Sequence, residues 1–218
     1  MNAHPSTPAN RNRRRLLALG FSLLLVICAL IALRAPHVRA AETVGTATLR
    51  NAEGQTIGSV RFLQEKDALV TRVQLTVRTS TGSSGFHGFH LHANDNASNG
   101  IDCVADPKAA AATWFVSADG HYKRDAADAH PNHAGDLPSV WVNRDGSGSS
   151  EIVIDRIQTG ELFNRVVILH AGPDNFANIP LGEAATQYKA NAAEATTATR
   201  NTGNAGDRLA CGVVEVTR

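Results

Sequence analysis

The stretch Gly85 to His92 reads GFHGFHLH, placing three of the chain's nine histidines within eight residues. As a strand it alternates faces with a period of two, so His90 and His92 project side by side from one face. Phe89 and Leu91 project from the other, and His87 shares their parity. Two neutral imidazoles held on one rigid face make half of a transition-metal site, and imidazole suits copper and zinc. A lone histidine on a strand is more often solvated or satisfied within a core. Here the later histidines decide the matter, because each falls where it could complete the site.

The ends of the chain bound its compartment. Residues 1–40 contain six arginines and no acidic residue, with Arg11–Arg15 reading RNRRR before an uncharged run from Leu16 to Leu33. Val38 and Ala40 stand where small residues precede signal-peptidase cleavage, which would leave Ala41 as the new N-terminus. The run also approaches the ~20 residues that span a bilayer, so residues 16–33 are the alternative, an uncleaved membrane tether, to the favoured cleavage. Asn12 to Leu17 resembles a twin-arginine export signal. Cys28 reads as an ordinary apolar residue of that run. Either way, residues 41–218 are expected outside the cytoplasm: in the periplasm, in the cell envelope or secreted.

Export changes the meaning of the cysteines and charges. Beyond Ala40 only Cys103 and Cys211 remain, and two cysteines in an oxidising compartment most simply make one disulfide. Without the leader, the 21 basic and 20 acidic residues become 15 and 20, a net charge of −5. A mildly acidic body argues against nucleic acid as a partner.

Residues 41–77 read as β structure. Thr71, Val73, Leu75 and Val77 alternate with polar residues, the pattern of a half-buried strand, and the turns at 51–54 and 65–67 separate it from two earlier strands. Val140–Asn143 and Glu151–Ile154 flank Asp145-Gly146, a hairpin signal. Val166–Leu169 is an apolar run ending at His170, and Ala210–Val216 reads as a final strand. Two long loops follow the histidine strands. Residues 93–120 have no strong period and room for one helical turn; 171–207 include the Ala/Thr-rich stretch 190–199, read as a solvated insertion. Short strands, long loops and no long amphipathic helix point to an all-β antiparallel sandwich or flattened barrel. Loops this long in a compact domain are commonly functional.

The remaining histidines of the body are His121, His130, His133 and His170. His130 to Asp136 reads HPNHAGD, with His130, His133 and Asp136 at three-residue intervals. With an incoming His121 they offer four N/O ligands, the number a closed zinc site takes. His90, His92 and His170 stand at strand positions, with His121 as a fourth. Four imidazoles in a flattened array suit Cu(II).

GFHGFHLH, HPNHAGD, HAGPDNFANIP (His170–Pro180) and GNAGDRLACG (Gly203–Gly212) together resemble, in order, the motifs of the copper/zinc superoxide dismutase family, most of all its exported bacterial branch. The resemblance covers most of residues 41–218 and is strongest from Gly85 onward. It implies a Greek-key β-sandwich and the dismutation of superoxide to dioxygen and hydrogen peroxide. It also implies copper bound by His90, His92, His121 and His170. Zinc would be bound by His121, His130, His133 and Asp136, with His121 as the imidazolate between the metals. Asp174 matches the carboxylate linking a copper histidine to a zinc histidine, Arg208 the arginine beside copper, and His87 a structural histidine. Cys103 and Cys211 match the disulfide that ties a loop to the last strand. Two departures stand out: the Cys103–His121 interval is longer than the family's usual one, and His130 and His133 are closer together.

The implied substrate is anionic while the body is acidic, so a local positive funnel has to oppose the global field. Arg208, copper, Lys189 and Arg200 are its candidates. A homodimer is compatible with the resemblance. Two other classes compete with the enzyme. A non-catalytic copper-binding or delivery module would need neither Arg208 nor a bridging His121. A structural envelope protein would use zinc only to staple a loop and would not need the copper quartet.

Overall fold

In a computed structural model of the chain, residues 41–64, 71–79, 84–175 and 193–217 are described. The leader 1–40, the turn at 65–67, Phe176–Pro180 of the third motif and Lys189 lie outside them. Among the described residues, nine strands follow in chain order: β1 (Glu42–Arg50), β2 (Thr56–Gln64), β3 (Thr71–Arg78), β4 (Gly85–His92), β5 (Asp136–Val142), β6 (Ser147–Ile154), β7 (Val166–His170), β8 (Arg208–Val213) and β9 (Glu215–Val216). An α-helix, α1, spans Ala193–Thr202.

The sheet runs β5-β4-β7-β8-β1-β2-β3-β6, with β9 added on β1, and each pairing is antiparallel. Along this path three connections join strands that are not hydrogen-bonded neighbours, β3 to β4, β5 to β6 and β6 to β7, which gives the Greek-key path and a nearly closed barrel. The alternation expected from Thr71 holds: Thr71, Val73, Leu75 and Val77 are buried and the residues between them are not. Val73, Leu75 and Val77 join Leu49, Val60, Phe62, Phe89, Leu91, Leu137, Val140 and Leu169 in one core. Each such fully buried side chain contributes roughly 1.5–3 kcal/mol by leaving water. That core is what holds β4 and β7 rigid.

The hairpin expected at Asp145-Gly146 is a turn without a hairpin ladder. Asn143 N donates to Ser147 O at 2.8 Å, but β5 goes on to pair with β4 and β6 with β3. The reason is that Thr79 N donates to Gly146 O at 2.8 Å. The turn is thereby pinned at the β3–β4 crossover, and the strands on either side take different neighbours. The final strand is interrupted at Val214, whose N–H donates to Arg165 O, so it becomes β8 and β9. Loop 93–120 holds two short 3-10 turns, Ala111–Thr113 and Val116–Ala118, in place of one helical turn.

The stretch 190–199 is corrected as well. From Ala193 it is the helix α1, consistent with alanine's helix propensity. Its Thr199 is buried and accepts a hydrogen bond from Asn175 Nδ2 at 2.9 Å. The Arg200 carbonyl accepts from His130 N at 2.8 Å, so the helix end is tied to the zinc-side loop rather than merely solvated.

Candidate metal centre

β4 and β7 lie side by side, with Phe89 opposite Leu169 and His90 opposite Ile168. Their core residues face inward, while His90, His92 and His170 turn toward the two long loops. His121 enters from the first loop through a bridge to His92. One ring nitrogen from each of His90, His92, His121 and His170 lies within 4.8 Å of all the others, and all four residues are buried.

His92, His121 and His170 each commit Nδ1 and leave Nε2, whereas neither nitrogen of His90 has a hydrogen-bond partner. His92 Nδ1 meets Asp119 O at 2.9 Å and His170 Nδ1 meets Gly206 O at 3.1 Å. Those carbonyls can only accept, so in the neutral rings both protons sit on Nδ1. The Nε2 atoms of His92, His121 and His170 and Nδ1 of His90 are buried without a hydrogen-bond partner. A buried lone pair without a partner costs roughly 1–3 kcal/mol. Four of them aimed at one point fit a metal with bonds of about 2 Å, for which opposite ligands stand ~4 Å apart. Burial first, then the neighbouring imidazoles, hold His90, His92 and His170 well below the usual histidine pKa. They are therefore neutral and able to ligate.

The second cluster is more compact. Asp136 Oδ1 lies 2.7 Å from His121 Nδ1, 3.1 Å from His130 Nδ1 and 3.3 Å from His133 Nδ1, and the His121 and His133 Nδ1 atoms are 3.3 Å apart. A tetrahedral ion with bonds of about 2.0–2.1 Å has ligand–ligand edges near ~3.3 Å. Despite the three-residue spacing, the Nδ1 atoms of His130 and His133 both come within 3.3 Å of Asp136 Oδ1. Nitrogens of His90, His121 and His130 and an oxygen of Asp136 also lie within 4.8 Å of one another, a group without His133. His133 Nε2 meets the Asp128 carbonyl at 3.2 Å, and its Nδ1 lies 3.3 Å from both Asp136 Oδ1 and His121 Nδ1.

The charge of this cluster sits on Asp136. Burial pushes its carboxyl up, but hydrogen bonds from His121, His130 and His133 outweigh that and hold it well below the carboxylate range. Burial lowers His121 despite the pull of Asp136, so His121 is neutral and the aspartate carries the negative charge.

Asp174 lies between the clusters. Its Oδ1 is 3.0 Å from His90 Nε2 and its Oδ2 accepts from Ser139 Oγ at 3.0 Å. Two glycines make room for it. A Cβ on Gly203, whose φ is +63°, would fall 2.6 Å from Asp174 Oδ1 and 2.8 Å from His130 Nε2. A Cβ on Gly88 would fall 2.7 Å from the same oxygen. His87 Nδ1 meets the His170 carbonyl at 2.7 Å and so braces β4 against the end of β7.

Arg208 opens β8 opposite His170. Its Nη1 donates to Phe115 O and its Nη2 to Asp119 O. Burial draws its pKa down and Asp119 draws it up; it remains a cation. Cys103 and Cys211 form a disulfide with Cα atoms 5.6 Å apart, fastening the same loop to β8. Of the funnel candidates, Arg200 is exposed on α1.

Reading the sequence does not reveal Ser139, Asp128, the carbonyls of Phe115 and Asp119, or Arg156, whose Nη1 donates to Pro131 O at 2.9 Å and holds the zinc-side turn. A backbone carbonyl leaves no mark in a sequence, and a single serine or arginine carries no spacing.

The family described as copper/zinc superoxide dismutase matches residues 56–214. A superoxide dismutase [Cu-Zn] of Mycolicibacterium paratuberculosis is 33% identical over 176 residues, covering 78% of this chain and 73% of that protein. One from Photobacterium leiognathi is 27% identical over 168 residues, covering 74% and 80%. Among solved structures, the crystal structure of the clock protein EA4 is similar with a TM-score of 0.56 and 25% identity, covering 83% of this chain and 99% of that one.

Proposed function

The chain belongs to the copper/zinc superoxide dismutase family, with superoxide dismutation as its activity and copper and zinc as its metals, and we propose which of its residues do the work. Nδ1 of His90 and Nε2 of His92, His121 and His170 would hold copper, and His121, His130, His133 and Asp136 would hold zinc. The observation that carries this reading is the set of buried nitrogens without partners that converge from His90, His92, His121 and His170.

Copper bound there would supply one-electron redox chemistry. The protein's part is orientation, charge and protons. Arg208 has five N–H groups. Hydrogen bonds to Phe115 O and Asp119 O fix the fork and leave other N–H groups for a small anion. His121 keeps Nδ1 with Asp136 and can hold a proton on Nε2, the side facing the copper cluster. Asp174 Oδ1 faces His90 Nε2 at 3.0 Å, and burial raises the pKa of its carboxyl. A non-catalytic copper carrier would have no use for a half-buried arginine fixed by two carbonyls beside the ligands.

The Cys103–Cys211 disulfide fits an exported protein. Export by the leader 1–40 extends the proposal to a periplasmic, envelope-bound or secreted enzyme acting in antioxidant defence. Cleavage after Ala40 would free the domain and an intact run 16–33 would tether it; N-terminal sequencing of the exported protein separates the two. A homodimer is compatible with the reading and is tested by sedimentation.

The central test is metal exchange. Chelation that removes copper should abolish superoxide dismutation, and copper alone should restore much of it. Full activity in a copper-free preparation would refute the assignment.

A further inference from the structure

We infer that the carboxylate of Asp119 is a positioning device for the anion seat, a role that rests on the copper reading above and deepens it. The Asp119 carbonyl receives two donors that matter, Nδ1–H of His92 at 2.9 Å and Nη2–H of Arg208. One oxygen therefore orients a copper-facing imidazole and the cation that receives superoxide. Whatever aims that oxygen sets the relation between the two.

The backbone there is unusual. Asp119 has φ +64° and ψ −159°, a region populated almost only by glycine. A residue with a side chain must be held in such a conformation by something. Here the carboxylate is held by three donors. Its Oδ2 accepts from the backbone N–H of Asp95 at 2.7 Å and of Asn96 at 2.8 Å, and its Oδ1 accepts from Asn99 Nδ2 at 2.7 Å. These donors lie just beyond His92, the last residue of β4. The carboxylate thus clamps the segment leaving the copper-facing strand to the residue whose carbonyl aims Arg208. Hydrogen bonds to an ionised acceptor are roughly twice as strong as neutral ones, which suits them to holding a strained unit.

The sign of the effect separates positioning from simple charge. A carboxylate near Arg208 weakens the local positive potential, so its removal by itself would tighten anion binding. If the clamp positions the fork, its removal loosens anion binding instead. Glycine suits the backbone at this position, so Asp119→Gly removes the clamp without adding strain.

The probe is azide titrated into the copper-loaded full chain, followed by its charge-transfer absorption, with copper content and the Cu(II) resonance spectrum recorded alongside. D119G should retain copper, bind azide about five- to ten-fold more weakly and show an altered copper spectrum. D119N keeps an oxygen for the Asp95 and Asn96 amides and should recover most of the affinity. In the unmutated protein those two amides should exchange with solvent at least about ten-fold more slowly than unstructured chain. Unchanged or tighter azide binding in D119G overturns the proposal, as does D119N as weak as D119G. Fast exchange at both amides overturns it even if D119G does not fold. Failure of the unmutated chain to take up copper removes the underlying reading instead.

Discussion

The two halves of the metal centre are held in different ways. His90, His92 and His170 stand on β4 and β7, strands whose other faces are packed into the core through Phe89, Leu91 and Leu169. His130 and His133 stand on a loop, fastened by Arg156 to the Pro131 carbonyl, by Arg200 O to His130 N, and by Asp136 Oδ2 to His133 N. Strand positions are fixed by the packed core behind them, so the three histidines on these strands are held in place by that core. The loop relies on a few hydrogen bonds and on the ion that would fill it. His121 belongs to both halves, so the state of the loop reaches the copper face through one ring. Rigid elements give precise sites, and a loop gives a site whose order depends on its ligand.

The largest test of this contrast is reduction of the Cys103–Cys211 disulfide, which closes a sequence separation of 108 residues. Chain entropy alone assigns it about 4–5 kcal/mol. Denaturant unfolding of oxidised and reduced protein should show a loss of that order. The copper side should suffer as well, because the disulfide loop carries the carbonyls that hold Arg208. A reduced protein with unaltered stability would mean the loop is secured by other contacts.

Zinc comes next. At a hundred-fold excess over its dissociation constant it should stabilise the copper-loaded protein by about 2.7 kcal/mol. For a domain of this size that raises the melting temperature by about 5–10 °C. Calorimetry with and without zinc measures it. If the loop is the zinc-dependent half, amide exchange should slow mainly in residues 121–136 and little in β4 and β7.

Arg208→Ala probes the copper half alone. The rate constant for superoxide should fall about ten-fold, equivalent to ~1.4 kcal/mol, while copper content stays constant. The loss is partial because the metal still attracts the anion. Loss of copper in this variant would make the arginine a structural brace rather than an anion guide.

The smallest expected effect belongs to Glu161, which anchors the start of the zinc-side loop to the barrel. It accepts from Tyr122 Oη at 2.8 Å and from Arg124 Nε and Nη2 at 2.6 Å each. The Arg124 hydrogen bonds are the main reason its pKa falls to about 2. A depressed carboxylate contributes stability above its ordinary pKa and loses it as pH falls toward the folded value. Glu161→Gln should therefore cost under about 1 kcal/mol at pH 7, the pair being partly solvated, and the difference from the unmutated protein should shrink between pH ~4.5 and 2. A cost that does not change with pH would point to packing instead of charge.

Much of this protein follows from its sequence alone. The alternation of β3 and β4 determined which residues enter the core and which histidines share a face, because a strand's period of two leaves no other choice. The motifs from Gly85 onward carried the family, and with it the ligand types. Only the tertiary structure decided the rest. β5 and β6 part at their turn because Thr79 holds Gly146, a contact no local pattern encodes. The Ala/Thr-rich stretch proved to be the helix α1 tied to His130, since its role depends on a partner 70 residues away in the chain. The spacing of His130 and His133 does not say where their rings point; only the fold turns both Nδ1 atoms toward Asp136. The aim of Arg208 rests on two backbone carbonyls, and a carbonyl belongs to every residue alike, so its direction exists only in the folded chain.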